Sequence, residues 1–142
     1  NITKLFFYGK TQRIEREAFA FSKKSKQRLL LDLTVLNGSS FEPRSFDGIQ
    51  RPIDVRLAGS NYLPDSSFKS VLDKEDSRII FGYNSRVNCS DCQNHWLIRD
   101  GKDGQVYNAF CIHNKNMTLF SPQIKYELNS KCNTKNKNVT LY

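Results

Sequence analysis

A chain of 142 residues and 16.5 kDa has room for one hydrophobic core and is short for two. Apolar residues make up 38%, with ten Phe and six Tyr, which excludes a disordered chain. The longest apolar runs, Leu29-Leu30-Leu31 and Ile79-Ile80-Phe81, fall far short of the roughly 20 residues of a membrane helix, and the net charge is +8. Residue 1 is Asn rather than Met and no signal peptide precedes it, so it reads as a processed or trimmed end.

Period-two alternation marks half-buried strands. Lys4–Tyr8 is the first candidate. Ala18-Phe19-Ala20-Phe21 then passes through the polar Ser22–Lys26 stretch into Gln27–Leu36, where Leu29, Leu31, Leu33 and Val35 share a face. The pair predicts a hairpin with a lysine-rich tip. Ser39–Arg51 is the longest loop, and Phe41, Phe46 and Ile49 predict that it packs down, an exposed binding loop being the alternative. Ile53–Leu57 alternates again, and Asp65 is the expected cap of a helix over Ser66–Asp76. Arg78–Tyr83, His95–Arg99, Gln105–His113 and Ile124–Leu128 complete the strands, with Asp100–Gly104 as a tight hairpin turn. No internal repeat stands out, and residues 131–142 read as a loose polar tail. These elements predict a single mainly β domain over 1–142, an antiparallel β-sandwich or barrel with one short helix, stapled by disulfides in its C-terminal half.

Four cysteines, Cys89, Cys92, Cys111 and Cys132, suit two disulfides, with Cys89 and Cys92 reaching separately to Cys111 and Cys132 or closing a local bridge. Five sequons begin at Asn1, Asn37, Asn88, Asn116 and Asn138. Together they point to an oxidising route and an extracellular or luminal glycoprotein.

The charge is uneven: residues 1–28 hold eight Lys/Arg against two Glu, while the body is nearly neutral. Lys23, Lys24, Lys26 and Arg28 at the hairpin tip suit a glycosaminoglycan, anionic lipid or acidic protein face. Nucleic acid is disfavoured, because aromatics flank that cluster on one side only. Cys89-X-X-Cys92-X-X-His95 followed by Cys111-X-His113 offers zinc-type ligands, but the sequon through Cys89 and the isolated later cysteines favour disulfides. The only histidines, His95 and His113, would have to face each other across the Asp100–Gly104 hairpin to run acid–base hydrolysis. Trp96 is the expected core anchor beside the disulfides. Tyr8, Tyr62, Tyr83 and Tyr107 are candidates for an interface.

The order of the Trp96 strand, the Cys111 strand and Ile124-Lys125-Tyr126-Glu127-Leu128 resembles the end of the luminal β-sandwich in Wntless-like seven-helix membrane proteins, over about a third of the chain. The resemblance implies a luminal sandwich and transfers no functional residues. The expected function is a non-enzymatic extracellular binding domain of a cell-surface, secreted or viral-envelope glycoprotein that recognises a protein or carbohydrate. No metal or cofactor is called for, and membrane attachment would run through segments outside this chain. The contact guesses are Lys23, Lys24, Lys26, Arg28, Phe41 and Phe46. The alternatives are a polyanion-binding module and a small secreted hydrolase.

Overall fold

The computed structural model describes residues 2–7, 13–20, 24–34, 36, 40–58 and 62–139, with side chains as far as residue 132. The antiparallel sandwich is overturned: five strands form one all-parallel sheet in chain order, β1 (Lys4–Phe6), β2 (Leu29–Leu33), β3 (Ile53–Leu57), β4 (Arg78–Phe81) and β5 (Val106–Tyr107). Three helices accompany it: α1 (Asp65–Leu72), α2 (His95–Arg99) and α3 (Pro122–Val139). Lys4 stands opposite Leu30, Leu29 opposite Ile53, Asp54 opposite Arg78 and Ile79 opposite Val106, so partners lie 26, 24, 24 and 27 residues apart. Each coil therefore returns the chain to its starting edge and adds one strand. That is the geometry of a solenoid.

Both expected hairpins fall with the sandwich. Gln27–Leu36 contributes β2, but β2 pairs in parallel with β1 and β3, and Phe19 lies in a buried turn. His95–Arg99 is helical, Asp100–Gly104 leads from α2 to β5, and Ile124–Leu128 lies inside α3. The resemblance to a luminal sandwich fails for the same reason, since its segment runs helix, strand, helix. Residues 131–139 lie in the last turns of α3, and the rest of the expected tail lies outside the described residues. Asp65 is the first residue of α1 instead of its cap, with Pro64 in the cap position, and its charge suits the positive helix end.

Alternation alone does not distinguish parallel from antiparallel pairing. The inward rows of the three central strands are fully buried: Leu29, Leu31 and Leu33 of β2, Ile53, Val55 and Leu57 of β3, Ile79 and Phe81 of β4. What the alternation recorded was a one-sided sheet. Behind it, the crossovers stack by the same step as the strands. Ile14 N–H donates to Ser40 O at 2.7 Å, Glu17 N–H to Arg44 O at 2.9 Å and Arg44 N–H to Ser66 O at 3.0 Å. A dipeptide recurs at this station. Ser45-Phe46 and Ser67-Phe68 occupy successive coils, with Ser45 Oγ donating to Ile14 O at 3.1 Å and Ser67 Oγ to Glu42 O at 3.0 Å. Phe19, Phe46 and Phe68 form a column with centroid spacings of 5.6 and 5.2 Å, and Phe41 stacks on Phe46 at 5.3 Å. Gly48 sits at φ +88°, where a Cβ would stand 2.9 Å from that of Ala20 in the coil below.

The C-terminal end is closed by two disulfides, Cys89–Cys111 and Cys92–Cys132, so Cys89 and Cys92 do reach separately to the later cysteines. Asn94 Oδ1 accepts the Leu63 N–H at 2.9 Å while Trp96 Nε1 donates to Leu63 O at 2.9 Å, docking this cap on the third coil. Trp96 is a core residue, as its sequence setting predicts. Replacing Phe46 by Ala removes the centre of the aromatic column. Its expected cost is about 3–5 kcal/mol in chemical denaturation, the range for a large aromatic lost from a packed core.

Candidate functional site

A parallel sheet normally has both faces covered by its crossovers. Here the described parts of the crossovers cover one face, and the other carries the outward residues of every strand. The register lines up Phe6, Asp32, Arg56, Ile80 and Tyr107 as one row across all five strands, with Lys4, Leu30, Asp54 and Arg78 as the row below. Phe6 is 46% exposed and Tyr107 41%, and the exposed Arg56 makes no ion pair with a described residue.

The lower row is held by charge. Asp54 accepts from Arg28 Nη1 at 2.9 Å and from Arg78 Nε and Nη2 at 2.9 and 2.6 Å. Its carboxylate is nearly buried while both guanidinium groups stay partly open. The hydrogen bonds it donates to Asp54 are the main reason the Arg78 guanidinium is held above its ordinary range. Arg78 also lies 5.7 Å from the Tyr107 ring centroid, and Lys4 Nζ lies 5.0 Å from that of Phe6, so each end of the face pairs a cation with an aromatic ring.

The residues expected to make contacts are distributed differently. Phe41 and Phe46 lie in the core, 6% and 0% exposed, which withdraws them from any surface. Lys24 and Lys26 are exposed just before β2, Arg28 is committed to Asp54, and Lys23 lies outside the described residues. His95 is buried in α2 with Nε2 2.8 Å from Asn129 Oδ1, and His113 is exposed in a loop, so the expected facing pair across a hairpin does not form. The disulfides use all four sulfurs, which leaves the zinc-type spacing without thiolates. Among the sequons, Asn116 is exposed on a turn. Asn88 is half-buried beside Cys89, its Oδ1 accepting the Ser90 N–H at 3.0 Å. Asn1 and Asn37 lie outside the described residues, and Asn138 is in the last turn of α3.

Sequence reasoning named Tyr107 but missed Phe6, Arg56, Arg78 and Ile80, because a shared row is visible only once the register is known. The signal was the recurrence of Ser-Phe at 45–46 and 67–68 and of an Asn four residues after Leu33 and Leu57. Comparison with protein-family models, with curated proteins and with solved structures returns no match.

Replacing Asp54 by Ala leaves two guanidinium groups facing each other without their shared carboxylate. The expected loss is about 2 kcal/mol, between the worth of an exposed pair and that of a fully buried one, read as a lower thermal midpoint that added salt partly restores.

Proposed function

We propose that this chain is a non-enzymatic extracellular recognition module of leucine-rich-repeat type, and that the open face of its sheet is the contact surface for a protein partner. The observation that carries this reading is a parallel-sheet face that no crossover among the described residues covers, with aromatic, aliphatic and charged side chains in one aligned row. A repeat of 24–27 residues with one strand each matches the period of leucine-rich repeats, whose stacked strands present one continuous surface. The row also has the composition of binding hot spots, since Tyr and Arg combine large contact area with directed polar groups.

Size sets a limit on how such a face could be used. Five short strands span about 19 Å by roughly 16 Å, near 300 Å², against about 800 Å² per partner in a stable complex. A partner would therefore extend onto the loops that flank the strands. The two disulfides support maturation in an oxidising compartment, and no helix among the described residues is long and apolar enough to cross a membrane. The sequons favour a glycoprotein.

Two measurements test the reading. Tetramers of the chain would be screened against an array of cell-surface ectodomains, beside an Arg56→Glu/Tyr107→Ala variant. A partner whose binding falls at least about ten-fold in the variant, at unchanged thermal midpoint, supports the face. A partner lost instead on changes to the opposite, crossover side overturns it. Intact mass of the protein from eukaryotic cells is expected to drop by one N-glycan with Asn116→Gln and to keep the same glycan count with Asn88→Gln. Bare asparagines throughout would remove the glycoprotein reading.

A further inference from the structure

Beyond the C-terminal ends of β4 and β5 lies a notch of about 160 Å³, lined by Tyr83, Arg86, Phe110 and Lys115. It is separate from the aligned row of the sheet. Tyr83 is 87% exposed, the most open of the large hydrophobic residues among those described. The Arg86 guanidinium is already positioned: Nη1 donates to Ser85 O at 2.8 Å and the group lies 5.8 Å from the Phe110 ring centroid. Neither Arg86 nor Lys115 pairs with a carboxylate of the described residues. The sequence around them explains why. Residues 77–90 and 104–126 contain no Asp or Glu, although they carry Arg78, Arg86, Lys115 and Lys125.

The geometry points to a binding site for an acidic sugar, a uronate or sulfated pyranose. Two uncompensated cations call for an anion, and the planar guanidinium matches a carboxylate or sulfate edge with paired hydrogen bonds. Two aromatic rings beside the cations, one almost wholly open, supply flat apolar surface. A pyranose uses such surface through its C–H face, whereas a simple acidic side chain has no need of it. The space takes one ring, and its openness leaves the sugar chain free to run on into solvent.

The test uses the full chain with its own N-glycans trimmed to a single residue, so that sugar on Asn116 does not shade Lys115. Calorimetric titration would compare a hyaluronan hexasaccharide, a heparin-derived hexasaccharide, a neutral maltohexaose and hexaglutamate. The expected result is binding of at least one acidic sugar, with the neutral sugar and the peptide at least about ten-fold weaker. The two acidic probes separate carboxylate from sulfate as the group read. Arg86→Ala/Lys115→Ala lowers affinity by about ten-fold or more, and Tyr83→Ala lowers it by about five-fold with no change in charge. Lys24→Ala/Lys26→Ala removes the same charge elsewhere and leaves affinity within about two-fold. Equal losses in the two double variants, an unaffected Tyr83→Ala, hexaglutamate binding as tightly as the sugars, or no acidic sugar bound would each overturn the proposal. Unchanged thermal midpoints in all three variants establish that any loss is not unfolding.

Discussion

Every part of this fold depends on one constraint: the front and the back of each coil must advance by the same step. The strands step by a sheet spacing near 4.8 Å. The column Phe19–Phe46–Phe68 steps by 5.6 and 5.2 Å, close enough that the crossovers follow without splaying. Serine hydroxyls at the same station help hold this match, Ser67 Oγ donating to Glu42 O of the preceding coil and Ser45 Oγ lying within reach of both Glu42 O and Ile14 O. A larger group at Gly48 would press on Ala20 and pry two coils apart at the back. Stability in such an array is the sum of neighbour interfaces, so damage at one step falls mainly on the coils either side.

Much of the interior was legible in the residues. Ile53–Leu57 is a strand with its predicted bounds, Leu29, Leu31 and Leu33 face the core, Phe41 and Phe46 pack down, Trp96 is buried, and the cysteines pair across the cap. These depend on side-chain hydrophobicity and local period. Pairing direction depends on where distant segments meet, and here the usual clue was missing. Parallel strands are normally joined by long amphipathic helices. Between Leu33 and Ile53 the sequence is instead rich in Ser, Pro and Gly, the same chemistry that closes hairpins. His95–Arg99 was misleading for another reason. Its five residues are too few to show a helical period, and four of them are buried, so an apolar run is all that a sequence displays.

The open face illustrates how a site can be hidden in plain composition. Phe6, Arg56, Ile80 and Tyr107 are unremarkable singly and far apart in the chain. Register makes them neighbours, and the Arg28–Asp54–Arg78 bridge beneath them ties three coils together through one carboxylate. The electrostatics and the fold are the same object here. Removing the acid would both unclamp the coils and raise the positive potential of the surface.

The spacing between strand partners varies, 24 residues in the middle coils and 27 across the coil that carries Cys89, Cys92 and α2, yet the front row stays in register. Extra residues are absorbed at the rear and leave the strands where they were. A chain built this way can lengthen or reshape its crossovers, gain a cysteine loop or lose a helix, and present an unaltered front. It can equally exchange outward side chains one strand at a time without disturbing the aromatic column. The two surfaces are thus free to diverge at different rates, which lets a scaffold of this kind acquire new partners while keeping its means of folding.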